Sequence, residues 1–440
     1  MYNIKMTQDL FFSETEMDEM YQKWHDTQTF EAVDKDEIRK TVVDDLNKIN
    51  QMSVEEYTLY QKWEEIQFKY PTVNDLFGGH SLKNKRQINA INRAKSLIWI
   101  PKSLDDYMGL EPELVYVKEG DTSVPTSDNP DQIPLSTDWT TLRIFCSNQM
   151  HAGVGPQRAM SFLIRDKVSR KYLGVITVSG DFLDLTARDE KIGWTREQRT
   201  DEKRVRFTAI GSTIIPMQPL GFNYVGGKLL SLLCLSEPVP KLWEKSYGDK
   251  LVGVTTTSLY GKYKGGHGMS QYDNLKYWKR MGYSKGSIAY QPSKKVKKVM
   301  RNWLRVENPR KYWEYTLATR RSGLPFKRDA TNRCNQTCYR GLDIKSDRFQ
   351  SSHERGIYFA KLYTNTNEFL RADISEDKLE PAFDNSVETL VDLWKNKYAR
   401  RRIESLQRND RVSDETFFLD DLVTKTWPET KEKYLGEVGR

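Results

Sequence analysis

VRFTAIGSTIIPMQPLGFNYVGGKLLSLLCL, residues 205–235, reads as a strand, a turn and a helix in immediate succession. An apolar, β-branched run stops at Pro216, and the loop after it holds Gly221, Gly226 and Gly227. An apolar helix is expected from Lys228 to Leu235, then a strand in LVGVTTTSLYG (251–261) and a helix in SQYDNLKYWKRMGY (270–283). Such a unit can hold a phosphorylated cofactor, because main-chain N–H groups at a helix start attract anions and glycine lets a ligand come close. The expected cradle is Met217, Gln218, Gly221, Asn223, Gly226, Gly227 and Lys228.

Upstream, LRIFC (142–146), MSFLI (160–164) and YLGVITVS (172–179) read as short strands, the last two joined by a hairpin turn. Mixed strands followed by a strand–helix repeat argue for an α/β (α+β) fold whose sheet is part parallel and part antiparallel. Residues 119–138 are rich in Pro, Ser, Thr and Asp and read as linker. Residues 1–100 read as helices: Ser13 to Glu16 and Ser53 to Glu56 match capping boxes, and Ile38, Val42, Leu46 and Ile49 recur at helical spacing. Another amphipathic stretch runs from Leu82 to Leu97, and a further helix is expected over 386–407. The expected organisation is thus an acidic helical domain (1–100), a linker region (101–140), a mixed-sheet core (141–292) and a basic, aromatic-rich C-terminal region (293–440).

Charge is unevenly spread along the 440 residues. Residues 1–70 carry 8 Lys and Arg against 16 Asp and Glu, a net −8, whereas residues 285–340 carry 15 against 3, a net +12. The second block suits a polyanion such as nucleic acid, with Lys294, Lys295, Lys297, Lys298, Arg301 and Arg305 as the expected contacts. The competing account is a solvated surface that balances the acidic segment, which could itself pack on the basic block. Mean hydropathy is −0.72. No apolar run approaches the roughly 18–20 residues of a membrane span. Four Cys and no signal-peptide pattern make the cytoplasm the expected compartment.

The residues able to carry chemistry are few. His151 and His267 stand at expected element ends, although a lone loop His is commonly polar surface. Cys334, Cys338 and His353 offer three ligands at an unusual spacing where structural zinc wants four, so no metal site is expected. Arg188 and Asp189, followed by Ile192-Gly193-Trp194 and Arg199, form a charged cluster on a turn. It reads either as an internal ion pair shaping that turn or as a clamp for a substrate anion. Serine-hydrolase, zincin, Walker A and dinucleotide patterns are all missing from the sequence.

The segment 205–290 resembles the cofactor half of the GNAT N-acyltransferase fold. That fold places an acyl-CoA pyrophosphate on a Gly-containing turn after its fourth strand, and a later Tyr often serves as general acid. A closer resemblance is to the Druantia anti-phage A-protein family, a former domain of unknown function. The shared pattern is His151, Tyr172-Leu173-Gly174, Arg188-Asp189, Ile192-Gly193-Trp194, Arg199, Pro216, Asn223, Leu229-Leu230, Trp278, Gly282, Ser284 and Gly286, over about residues 143–290. Mom-type DNA-modification acyltransferases of phages look similar more distantly, through His267-Gly268 and Tyr272. The His-Tyr pair of the closer family is His151-Ala152 here.

These resemblances imply an acyltransferase acting on nucleic acid, in a phage or phage-defence setting and in the bacterial cytoplasm. Acetyl-CoA or another acyl donor is the implied cofactor. His151 or Tyr272 would manage the proton of an attacking amine and Arg188 would orient the substrate, with Asp189 beside it as a further catalytic candidate. The alternative is a non-catalytic nucleic-acid-binding or virion protein on the same scaffold.

Overall fold

The computed structural model describes residues 13–69, 93, 96–101, 103–123, 132–146, 158–217, 220–221, 225–261, 272–318, 327–411, 422 and 425–435. The chain divides into two compact units that interleave in sequence, 1–68 with 287–352 and 69–286 with 353–440. The acidic N-terminal helices and the basic block thus share one unit. The boundaries expected at 100, 140 and 292 do not follow this division, because its defining contacts join segments more than two hundred residues apart.

The larger unit is built on a seven-stranded sheet in the order β1-β2-β3-β4-β5-β9-β6. Its strands are β1 (Pro112–Tyr116), β2 (Ala159–Asp166), β3 (Tyr172–Gly180), β4 (Thr208–Pro216), β5 (Gly253–Gly261), β6 (Trp278–Tyr283) and β9 (Arg355–Lys361). All neighbours are antiparallel except β4 and β5. A mixed α+β fold is what the sequence patterning implied, and the glycine-containing turn does follow the fourth strand of the sheet.

Several elements differ from the expectation. LRIFC closes a helix, Leu135–Cys146, because Leu135, Trp139 and Leu142 fall on one buried face at helical spacing. The presumed linker contains β1, paired along its length with β2. Residues expected as a second helix (270–283) supply β6 instead. Asn274 and Tyr277 have φ of 58° and 77°, values a continuing helix cannot accommodate, and β6 finds its partner in β9, some seventy residues later.

Apolar side chains cover both faces of the sheet. On one, the helix Gly226–Leu233 lays Leu229, Leu230, Leu232 and Leu233 into the core with no exposure, each worth about 1.5–3 kcal/mol of burial. Gly174 on β3 permits this approach, since a Cβ there would lie 2.2 Å from Leu230 Cδ2. Trp278 on β6 ties in by donating its indole N–H to the Ser231 carbonyl at 3.0 Å. On the other face, Ile192, Trp194, Phe207, Val252, Ile357 and Phe359 form a second cluster.

The smaller unit packs the helices Lys35–Ile49 and Val54–Lys69 with the helices Lys294–Glu307 and Lys327–Gly341, plus the two-stranded ribbon β7 (Ser287–Ala289) and β8 (Gln350–Ser352). Ser13 and Ser53 cap their helices as the sequence indicated. Val42, Leu46 and Ile49 are buried together with Met300, Trp303, Cys334 and Cys338. The stretch 82–92 lies outside the described residues.

Candidate active site

β4 and β5 pair over three residues only: Thr208 with Gly253, Ala209 with Val254 and Ile210 with Thr255. Beyond that point β4 continues against β3 and β5 against β9, so the parallel pair forks toward its carboxyl end. In open α/β sheets that end is where ligands bind. At the fork the Thr256 hydroxyl donates to the Gly211 carbonyl at 3.0 Å, satisfying a backbone acceptor that the partner strand no longer serves. The Tyr272 hydroxyl stands 3.4 Å from the same Thr256 oxygen, its ring packed on Trp278 and Tyr358.

Polar groups gather beside this point. Tyr358, opposite Thr256 on β9, donates to Asp273 Oδ1 at 2.9 Å. The same carboxylate oxygen takes the Arg280 guanidinium. Lys228, in the first turn of the helix after β4, donates its ammonium to the Asp273 carbonyl at 2.9 Å. Burial pushes the Lys228 ammonium below its usual range, a shift the Asp273 carboxylate opposes.

Residues of the expected cradle divide between structure and site. The Met217 N–H extends the β3 pairing by bonding the Leu173 carbonyl, and its side chain is buried. Gly221 N–H closes a tight turn onto the Met217 carbonyl. Gly226 N–H is taken by the Leu220 carbonyl, and a Cβ on Gly226 would meet Leu220 at 2.6 Å and Pro216 at 2.8 Å. Its missing side chain is therefore explained by packing within the turn. Gly227 and Lys228 stand at the helix start nearest the polar cluster. His151, Gln218, Asn223 and His267 lie outside the described residues.

Arg188 and Asp189 take the structural of the two roles weighed for them. Arg188 is fully enclosed and its guanidinium meets Asp181 at 2.8 Å and Asp189 at 2.7 Å. Asp189 also accepts from the Trp194 indole and the Leu185 N–H, and Arg199 bonds the Leu183 and Trp194 carbonyls and Asp184. Asp181 in turn accepts from Thr255 of β5 at 2.7 Å. Around Arg188, Asp181 and Asp189 the motif is a buried network that fixes the β3–β4 connection against β5, and Asp184 at its edge is exposed. Gly282 serves the same packing, because a Cβ there would lie 2.8 Å from Ala187.

The basic helix Lys294–Glu307 is engaged inside its own unit. Asp45 accepts from the Ser293 N–H at 2.7 Å and Glu64 from the Lys294 N–H at 2.6 Å, so two carboxylates sit at the positive end of the helix. Arg305 donates to the Thr29 carbonyl, and Arg301 and Lys297 are half-buried, while Lys295 and Lys298 are exposed. The acidic segment thus packs on the basic one, an option the charge pattern left open.

Thr256, Asp273, Tyr358 and Arg280 went unnoticed in the sequence. Their one signal is the polar run Thr255-Thr256-Thr257 inside an otherwise apolar strand.

The seven-stranded mixed sheet, with its forked parallel pair and the polar cluster beside it, defines an α+β protein. The family described as Druantia protein DruA matches residues 142–372, and the chain belongs to that family, which gives it a phage-defence context. A Druantia protein DruA of Escherichia coli (strain UMEA 4076-1) is 26 % identical over 141 residues, 29 % of this chain and 34 % of that protein. The alignment therefore spans about a third of the relative's length. No solved structure matches. No helix among the described residues is long and apolar enough to cross a membrane.

Proposed function

We propose that this protein is a GNAT-like acyltransferase acting on nucleic acid, with an acyl-CoA-type donor held where β4 and β5 part. The observation that carries the reading is the three-residue limit of the β4–β5 pairing. It opens the sheet beside the turn and helix that follow β4. The donor set fits an anionic cofactor, since Gly227 is in the first helical turn and Lys228 of the same turn carries an ammonium, placed on the Asp273 carbonyl. These two residues would hold the diphosphate, and the donor when bound supplies an activated acyl group.

The chain's own side chains then supply position and proton handling. Thr256 fixes the fork through Gly211, and Tyr272 holds a proton at its phenol oxygen for exchange with the attacking amine or the leaving group. Arg188 and Asp189 contribute rigidity from the opposite side of β5. A base amine as acceptor has to be single-stranded or flipped out of its stack to reach such a cleft. Mass spectrometry of nucleosides from DNA co-expressed with the protein tests the reading. An acylated base supports it; unmodified bases together with no acyl-CoA binding by calorimetry overturn it.

A further inference from the structure

A second basic segment, in the larger unit, lies against the candidate site. The helix Val387–Trp394 runs through a π turn at Lys395–Ala399 into the helix Arg400–Arg408. Its inner side is fastened at two points. Trp394 donates its indole N–H to the Val225 carbonyl at 2.8 Å, just before the helix Gly226–Leu233. The Tyr398 hydroxyl accepts from the Lys276 N–H at 2.8 Å, in the loop that carries Asp273, and the Lys228 ammonium lies 5.4 Å from the Tyr398 ring centroid. The sequence places an amphipathic helix here, ending in Arg400-Arg401-Arg402, and it lies beyond the residues matched by the family.

The π turn determines which side chains face out. On an uninterrupted helix the residue seven after Trp394 returns to the same face, which would turn Arg401 inward. The extra residue of the π turn moves that stripe on: Ala399, Ile403 and Leu406 are buried, whereas Lys397, Arg400 and Arg401 are exposed. Between residues 394 and 408 six Lys and Arg stand against one Glu. Among the described residues, Lys397, Arg400 and Arg401 take part in none of the ion pairs. Lys397 and Arg401 line an open groove of about 420 Å³ with Asp392, Leu393 and Asn396. The block singled out by charge alone, by contrast, gives its helix start to Asp45 and Glu64.

We propose that this outward face, centred on Lys397, Arg400 and Arg401, binds the phosphate backbone of single-stranded DNA beside the fork. The inference rests on the acyltransferase reading for the choice of a single strand, and on charge complementarity for the surface. Arginine and lysine on phosphates give affinity that falls with salt, by about 0.7 log unit per tenfold salt for each phosphate contacted on a single strand.

Fluorescence anisotropy with a labelled 20-nucleotide single-stranded DNA tests it on the full chain. The double variant Arg400→Ala/Arg401→Ala, both sites exposed, is expected to bind about tenfold more weakly with a salt slope shallower by about 1.4. Lys295→Ala/Lys298→Ala in the smaller unit is expected to stay within about twofold of the parent, because the proposal places no phosphate there. Equal affinity of the parent and the Arg400/Arg401 variant, or loss confined to the Lys295/Lys298 variant, overturns the proposal. So does binding of an RNA strand with no binding of DNA. Strand binding lost in the Arg400/Arg401 variant while calorimetry shows no acyl-CoA binding would leave this surface standing and remove the acyltransferase reading. Acylated nucleosides made equally by parent and variant would do the reverse.

Discussion

Thr256 Oγ1 donates to the Gly211 carbonyl oxygen across 3.0 Å at the place where β4 and β5 stop pairing. A strand ladder normally satisfies each carbonyl with a facing N–H; here a side chain does so, and the sheet can open without stranding a buried acceptor. Thr256→Val keeps the shape and removes the donor. The expected loss is about 1–3 kcal/mol in denaturant unfolding, the cost of one unsatisfied buried group, together with weaker acyl-donor binding in calorimetry.

Removing the phenol oxygen at the fork separates chemistry from packing. Tyr272→Phe keeps the ring contacts with Trp278 and Tyr358, so the melting temperature is expected to stay close to that of the parent. Acyl transfer should fall by about 10²–10⁴-fold, the usual worth of a positioned proton donor, with donor affinity retained. An unchanged rate would remove Tyr272 from the mechanism.

The buried Arg188 network makes an opposite forecast. Arg188→Met leaves the enclosed Asp181 carboxylate without its cation and Asp189 with Arg199 alone, at 3.5 Å. Unfolding free energy should drop by about 3–5 kcal/mol, as for other broken buried pairs. Arg188→Lys is not expected to rescue it, since a single ammonium cannot reproduce the guanidinium's planar fork. A variant that lost activity at unchanged stability would restore the substrate-clamp reading.

Glu64 gives a pH signature to the smaller unit. Burial pushes its carboxyl above the ordinary value of 4.5, an effect that the Lys294 N–H and the Lys297 charge oppose. The folded chain therefore holds this proton to higher pH than the unfolded chain does. Between 4.5 and the raised value the unfolded state binds fewer protons, so this group's contribution to stability declines as pH rises through that window. Glu64→Gln should flatten that decline in melting temperatures measured from acid to neutral pH.

Much of the sheet was legible in the sequence. The hairpin β2–β3, the strand ending at Pro216, the glycine-containing turn and β5 announce themselves through local apolar runs and breakers. The helix after β4 was expected two residues late, at Lys228 rather than Gly226, because glycine conceals helix starts. β6 and β1 stayed hidden since their strand character comes from distant partners, Arg280 facing Tyr358 and Glu113 facing Arg165. Arg188 and Asp189 show why charge in a motif misleads: what distinguishes a clamp from an internal latch is enclosure, which patterning does not contain. The polar cluster at Asp273 escaped for the same reason, being assembled from β6, β9 and a loop.

The central claim is that an acyl-CoA-type donor lies between the parted ends of β4 and β5. A crystal structure of the full chain soaked with acetyl-CoA measures this directly. The account predicts donor density in the fork, with its diphosphate against Gly227 and Lys228 and its acyl end toward Thr256 and Tyr272. A fork closed by side chains with no donor density, or a donor bound elsewhere, would contradict it.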